Sequence, residues 1–276
     1  MTIREALREA IHRLELQRIP NPRLCAEVLV AHALSAERTY LYTHDEKAIT
    51  DEQYQILENG IYERASGVPV QYIVGRQEFY GRDFLVNPAV LIPRPETEYV
   101  VEAVLETNPP AGSRIIDVGT GSGCIAITLA LEIPGSQVFA ADISEYALRV
   151  ALENAARLQA RVRFVNMDLL EAVFGEFEFV VSNPPYVRAG DLASLQREVR
   201  EHEPHVALFS SGDETDIYRR LIASAAQRLK RGGRLIMEIG IGMEERVLGL
   251  LDQQWQRHPT KADLQGIPRT VIAERL

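Results

Sequence analysis

The chain has 276 residues, of which 46% are hydrophobic and 25% charged, with a formal net charge of −9. This is the balance of an ordinary soluble globular protein with ample core, in one large or two smaller domains. The acidic excess argues against a long nucleic-acid groove, and no apolar run approaches the ~18 residues that a membrane helix needs.

The start, Met1-Thr2-Ile3-Arg4-Glu5, is charged and lacks the apolar run of a signal peptide. Cys25 and Cys124 lie far apart and fit no metal or redox spacing, so free thiols of a cytoplasmic protein are expected. Thr2 and Glu5 form a capping box for a helix over 2–16, with Ile3, Ala6, Leu7, Ala10, Ile11 and Leu14 on its apolar face. Asn21-Pro22 opens a second helix to about Leu34, with Asn as cap and Pro at the first helical position. Ser35 is expected to cap a short third helix. Thr50 and Gln53 form another capping box, for a helix that Gly67 stops. Residues 1–70 therefore read as a helical domain without strand signals.

Residues 70–92 alternate in polarity and carry turn signals at Gly75, Gly81-Arg82-Asp83 and Asn87-Pro88, which predicts a β-hairpin linker, taken as 71–93. Arg94-Pro95-Glu96-Thr97-Glu98 then opens a helix to about Glu106. From Arg114 onward strands are predicted near 114–118, 137–141, 162–165, 177–182 and 233–239, and helices near 123–132, 144–158, 215–229 and 242–254. This alternation is the signature of a parallel sheet covered by helices on both faces, so 94–276 reads as one α/β domain. Lys261-Ala262-Asp263 and Thr270-Val271-Ile272-Ala273 predict a closing hairpin around Gly266, whose last strand enters the sheet antiparallel.

The first strand of that domain ends in Asp117-Val118-Gly119-Thr120-Gly121-Ser122-Gly123 and runs straight into a helix. Glycines there let the backbone turn sharply and let a ligand approach it closely. A dinucleotide fingerprint would need a further glycine at position 124, where this chain has Cys124. Gly-x-Gly-x-Gly after an acidic strand end suits S-adenosyl-L-methionine, which has no pyrophosphate to cradle. Asp142 closes the next strand, about twenty residues beyond the loop, where a carboxylate can accept both ribose hydroxyls.

A second element follows the fourth strand, at Val180-Val181-Ser182-Asn183-Pro184-Pro185-Tyr186. Neither proline carries an N–H, so the turn keeps its carbonyls free to point outward. The Asn183 side-chain oxygen and the Pro184 carbonyl can converge as two acceptors around a planar –NH2 group, and Tyr186 offers a flat face to stack on. This is a pocket for an amide or an aromatic amine, at the carboxyl end of a strand, where open α/β sheets bind their ligands.

Other features carry less. His202-Glu203-Pro204-His205 reads as a surface loop, since Pro204 breaks any helix that would align the imidazoles on a metal. Arg228, Lys230, Arg231 and Arg234 at a helix end are explained by dipole complementarity and solubility. Trp255 is isolated and is expected to pack. No Ser-His-Asp or Cys-His constellation is present.

With these motifs in place the chain resembles the release-factor glutamine methyltransferases, the PrmC/HemK family. The likeness runs through Pro69-Val70-Gln71-Tyr72-Ile73 with Gly75, Glu78-Phe79-Tyr80-Gly81, Leu91-Ile92-Pro93-Arg94-Pro95-Glu96-Thr97-Glu98, Asp117 to Gly123 and Asn183 to Tyr186. It continues in Glu203-Pro204, Ala207-Leu208, Tyr218-Arg219 and Asp263-Leu264 with Gly266 and Arg269. The resemblance implies a Rossmann-like, seven-stranded class I methyltransferase domain behind a substrate-recognising helical domain. It implies methylation of the glutamine side-chain amide in the Gly-Gly-Gln loop of peptide chain release factors. S-adenosylmethionine would be held by Gly119, Thr120, Gly121, Ser122, Gly123 and Asp142, with further contacts near Asp168-Leu169 and at Asn183. Asn183, Pro184, Pro185 and Tyr186 would receive the substrate amide. Family members often carry a tryptophan where Leu169 stands, and Ser210-Ser211-Gly212-Asp213 is a less glycine-rich surface loop than usual. A cytoplasmic monomer, with no metal, membrane or direct nucleic-acid partner, is expected.

Three alternatives remain at this point. An adenine-amino methyltransferase would share the –NH2 pocket but should bring a basic groove. A nicotinamide oxidoreductase is disfavoured by the missing glycine, and a non-catalytic scaffold by the two intact motifs.

Overall fold

The computed structural model describes residues 1–276 except 188, 189, 191, 193, 194 and 210–212, so Ser210, Ser211 and Gly212 of the loop noted above lie outside the described residues. The chain divides into two compact units, Met1–Arg76 with Gln196–His202, and Gln77–Leu195 with Glu203–Leu276. Helices and strands are numbered along the chain.

The first unit holds α1 (Ile3–Leu16), α2 (Pro22–Ala33), α3 (Tyr40–Thr43), α4 (Asp51–Ala65), α5 (Val70–Val74) and α9 (Arg197–His202). Both capping boxes form. Thr2 Oγ1 accepts the Glu5 N–H at 3.3 Å while Glu5 returns a carboxylate to the Thr2 N–H at 2.8 Å, and Thr50 and Gln53 do the same for α4 at 3.2 and 3.0 Å. Asn21 precedes α2 but does not cap it with its side chain. Its φ of +48° is a left-handed conformation that Asn tolerates, and Pro22 occupies the first helical position. Ser35 does not open α3 but ends α2. At φ +50° it donates its N–H to the His32 carbonyl at 2.9 Å, and Ala36 donates to Ala31 at 3.0 Å, the paired bonds of a left-handed helix stop. Gly67 ends α4 in the same way. The core is the apolar stripe Ile3, Ala6, Ala10 and Leu14 packed with Ala26, Leu29, Val30, Leu57 and Ile61. Val70, Ile73 and Val74, expected in the hairpin, form α5 instead, because their i, i+3, i+4 spacing lets all three pack on that core. The buried Arg64 of α4 pairs with Glu198 of α9 at 2.6 Å, joining the returning segment to the bundle.

The second unit opens with a hairpin of β1 (Arg76–Phe79) and β2 (Arg82–Leu85). Tyr80 and Gly81, at φ +51° and +73°, make the turn whose twist matches paired strands. The hairpin is not a free linker. Phe79 and Phe84 meet edge to face at 6.0 Å and join Val100, Val101 and Ile125 in the domain core. A 3-10 turn over Pro95–Thr97 leads into α6 (Glu98–Leu105). There follow β3 (Arg114–Val118), α7 (Cys124–Glu132), β4 (Gln137–Asp142), α8 (Glu145–Arg157), β5 (Val162–Asn166), β6 (Phe177–Ser182), α10 (His205–Leu208), α11 (Asp216–Arg228), β7 (Leu229–Glu238), α12 (Glu244–Leu248), β8 (Trp255–Arg257), β9 (Lys261–Ala262) and β10 (Pro268–Arg275).

The large sheet has the order β5-β4-β3-β6-β7-β10-β8, with β9 also pairing β10. Strands β3 to β7 are parallel, and β10 returns antiparallel to β7 with Thr270 opposite Glu238. Buried side chains fill both faces. Ile116, Val180, Leu235 and Met237 pack under α11, while Ile115, Phe179, Val181 and Ile236 pack under α6 and α7. Two expectations near the end fail. The helix predicted to reach 254 stops at Leu248 before Gly249, and Trp255, buried as expected, begins the unpredicted β8. Three residues are too few to show a strand period. Among the described residues no helix is long and apolar enough to cross a membrane.

Candidate active site

The strand order reverses direction between β3 and β6, which opens a crevice above their carboxyl ends. Val118 pairs with Ser182 across these strands, and Ser182 Oγ donates to the Val118 carbonyl at 2.7 Å. The glycine loop and the Asn183 turn thus leave from neighbouring positions, although 64 residues separate them in sequence. A cavity of about 390 Å³ lies there, a size suited to a small-molecule site. Gly119, Thr120, Gly121, Ser122, Asp142, Asp168, Leu169, Asn183, Pro184 and Pro185 all line it.

On the β3 side, Gly119 and Thr120 donate their N–H groups to the Ala141 carbonyl at 2.8 and 3.0 Å. Gly121 has φ +56°, and a Cβ there would meet nothing within 4 Å, so the open side of the loop faces space that a ligand can use. Gly123, which does not line the cavity, serves packing. A Cβ on it would meet Ile127 Cδ1 at 2.8 Å and Ala151 Cβ at 3.2 Å. Asp117 is wholly buried beneath the loop and accepts from Thr120 Oγ1 at 2.6 Å and from the Ala126 N–H at 3.3 Å. Burial pushes its carboxyl up to about 7 against the pull of those bonds.

Asp142 stands at the end of β4 with both oxygens engaged by backbone, Oδ2 by Gly121 and Oδ1 by Ser144, each at 2.9 Å. Burial raises its pKa while these N–H groups lower it. The aliphatic Ile143, Met167 and Leu169 line the same end of the cavity, and Asp168 is paired with Arg220 of α11 at 2.5 Å. An open glycine cradle, a carboxylate at a strand end and an apolar wall fit the ribose and base of S-adenosylmethionine. Gly119, Gly121 and Asp142 would hold it.

On the β6 side, Asn183 Nδ2 donates to Thr97 Oγ1 at 3.0 Å, and Thr97 Oγ1 donates to Glu238 Oε2 at 2.6 Å. Tyr186 donates its hydroxyl to Glu238 Oε1 at 3.2 Å, and Tyr218 donates to the Glu238 backbone carbonyl at 3.1 Å. Glu238 is buried at the tip of β7, and that burial pushes its carboxyl up to about 7, with the Thr97 and Tyr186 hydroxyls pulling the other way. Tyr186 is not among the cavity-lining residues. Its ring lies against Gly240, where an added Cβ would come within 3.0 Å of it.

Sequence reasoning assigned no role to Thr97, Glu238 or Arg94. A readable signal existed for Glu238, since a carboxylate closes the apolar run Leu235-Ile236-Met237 at a strand's carboxyl end. Arg94 lines the cavity and pairs with Glu203 Oε1 at 2.5 Å, and Ile92 N–H reaches Glu203 Oε2 at 3.4 Å. His202-Glu203-Pro204-His205 is therefore not a surface loop. His202 ends α9, Glu203 is buried, and His205 begins α10. Among the described residues no group of three or more His, Cys, Asp or Glu side chains is placed to hold a metal.

This fold and this site define a class I S-adenosylmethionine-dependent methyltransferase. Solved structures agree on the fold. A methyltransferase from Pyrococcus furiosus superposes with a TM-score of 0.51 at 19% identity, over 82% of this chain and 98% of that one. The T. thermophilus 16S rRNA N2 G1207 methyltransferase in complex with AdoMet and guanosine gives 0.53 at 18%, over 73% and 50%. The PrmC N-terminal domain family matches residues 5–75, and the methyltransferase small domain family matches residues 97–202. The release factor glutamine methyltransferase of Koribacter versatilis is 46% identical over 100% of this chain and 99% of its own. That of Moorella thermoacetica is 44% identical over the same shares. The chain belongs to the release factor glutamine methyltransferase family.

Proposed function

We propose that this protein transfers a methyl group from S-adenosyl-L-methionine to the side-chain amide nitrogen of the glutamine in the Gly-Gly-Gln motif of peptide chain release factors, modulating translation termination. The observation that carries the reading is the orientation of Asn183. Its Nδ2 is committed to Thr97, which leaves its Oδ1 to accept; Asn183 and Pro184 both line the cavity, and in this reading that oxygen and the Pro184 carbonyl are the two acceptors. Two acceptors at a fixed angle suit an –NH2 group. Residues 1–70 recognise the protein substrate in this reading, and the enzyme works in the cytoplasm as a monomer without a direct nucleic-acid partner.

An amide nitrogen is a poor nucleophile because its lone pair is delocalised into the carbonyl. Asn183 and Pro184 hold its two N–H bonds, return electron density to nitrogen and aim its lone pair. Orientation of this kind can supply up to ~7–11 kcal/mol of a barrier. The same acceptors stabilise the positive charge that develops on nitrogen. S-adenosylmethionine, held by Gly119, Gly121 and Asp142, would supply an electrophilic methyl group on a sulfonium, and the nitrogen aimed by Asn183 and Pro184 would take that methyl group as its bond to sulfur breaks. The methylated amide then loses its proton to solvent, so no strong base is required at Asn183.

The test is incubation with labelled S-adenosylmethionine and either a release factor or DNA, followed by mapping of the label. Label on the Gly-Gly-Gln glutamine is the expected result. Label on adenine in DNA instead would overturn the reading; the net charge of −9 already disfavours that alternative.

A further inference from the structure

We propose that Thr97 and Glu238 are positioning residues that set which end of the Asn183 amide faces the substrate. The inference rests on the reading of Asn183 as an acceptor for the substrate –NH2, and it adds what makes Asn183 an acceptor there.

An asparagine amide has an acceptor end and a donor end of nearly the same shape. Only the oxygen end can receive an –NH2 group; the nitrogen end would meet it donor to donor. The motif Asn-Pro-Pro-Tyr by itself does not decide between them. Three linked groups decide it. Glu238 as a carboxylate only accepts, so the single hydrogen of the Thr97 hydroxyl must point to Glu238 Oε2, at 2.6 Å. Thr97 Oγ1 then faces Asn183 with lone pairs alone, and Asn183 must turn its Nδ2 to it, at 3.0 Å. Its oxygen is thereby directed to the other side. Tyr186 donates to Glu238 Oε1 and so favours the carboxylate form at the head of the chain without reversing its direction.

Burial makes this a rule rather than a preference. Thr97 and Glu238 are each 2% exposed, so water is not available to satisfy a mismatched pair. The geometry also explains why the 3-10 turn at Pro95–Thr97 sits where it does. It brings a hydroxyl from a segment 86 residues before Asn183 and 141 before Glu238 into the gap between them. Without the hydroxyl, both amide orientations become comparable, and substrate must bind against the wrong one part of the time.

The experiment uses the full-length protein with an intact release factor, S-adenosylmethionine affinity by calorimetry, and single-turnover and steady-state methylation rates. Thr97→Val keeps the shape and removes the hydroxyl. It should lower kcat by at least ~20-fold while cofactor affinity changes by less than ~3-fold, since the glycine loop and Asp142 are untouched. Thr97→Ser restores the hydroxyl and should return kcat to within ~5-fold of the parent. A structural role for the Thr97 methyl predicts the reverse order, with valine active and serine impaired, and that result overturns the proposal. If Thr97→Val fails to bind cofactor, Thr97→Ala is read by the same two measurements, again against serine. Asn183→Ala separates this proposal from the reading beneath it. Full activity in Asn183→Ala removes the amide pocket itself, whereas an inactive Asn183→Ala beside a fully active Thr97→Val removes only the positioning by Thr97 and Glu238.

Discussion

Asp142 Oδ2 accepts the N–H of Gly121 at 2.9 Å, so the carboxylate at the end of β4 also shapes the loop at the end of β3. Its other oxygen is held equally by Ser144. One residue thus fixes the cradle, and in the proposed function its remaining lone pairs receive the ribose hydroxyls.

This double use sets the outcome of two substitutions. Asp142→Ala should weaken S-adenosylmethionine binding by about 1.5–3 kcal/mol, the scale of hydrogen bonds to a charged group. Asp142→Asn should do little better, because its amide –NH2 must face either the Gly121 or the Ser144 N–H. Calorimetry showing parental affinity for both would remove Asp142 from the site.

Asn183→Ala removes one of the two acceptors proposed to receive the substrate amide. Turnover should fall at least ~100-fold, about 2.7 kcal/mol of barrier, while cofactor affinity falls much less. Asn183→Asp still accepts on the substrate side but loses its donor to Thr97, so it should keep measurable activity below the parent and above alanine. A quenched methylation assay on an intact release factor reads both variants, and equal rates for alanine and parent would refute the amide clamp.

Glu238 gives the pH dependence. Its carboxyl moves from an ordinary 4.5 to about 7 in the folded protein, mainly through burial and also through nearby Glu96, with Thr97, Tyr186 and Arg269 opposing. A raised folded value means the folded state holds the proton more tightly. Its contribution to stability is therefore full below pH 4.5 and is lost as pH rises through about 7. Turnover should move the opposite way, rising through about 7 as the carboxylate forms and directs Thr97. Asp117 titrates in the same range, so the discriminating measurement is the kcat–pH profile of Glu238→Gln. A glutamine can keep its oxygen toward Thr97 and its –NH2 toward Tyr186 at any pH. The variant should retain activity at neutral pH and lose the component due to Glu238; an unchanged profile would exclude Glu238 as its source.

Glu198→Ala tests the join within the helical unit. It leaves the buried Arg64 guanidinium without its carboxylate, which should cost about 3 kcal/mol, at the low end for a buried pair because Glu198 is partly exposed. Thermal melting followed by circular dichroism should show the loss, and Glu198→Asp should recover part of it. An unchanged melting temperature would mean that Arg64 finds enough in its bond to the Val68 carbonyl at 3.1 Å.

Local rules read directly from the sequence carried much of the fold. The boxes at Thr2 and Thr50, the glycine stop at Gly67 and the runs 114–118 and 177–182 emerge as expected, because each is decided by residues within one turn or one strand. The glycine loop and Asn183-Pro184-Pro185 were legible for the same reason. Prediction failed where a local pattern was too short or served two ends. Residues 70–74 alternate like a strand yet present a helical triplet to a core, Ser35 can begin one helix or end another, and β8 is only three residues long. The partnership of Asn183, Thr97 and Glu238 belongs to tertiary structure alone. Their spacing in sequence has no period. They meet because β6 and β7 are neighbours in the sheet and because the turn before α6 returns over their carboxyl ends. Sequence named the amide at the site, but a hydrogen bond's direction depends on what stands on its far side. That is set only when distant segments are packed together and water is excluded.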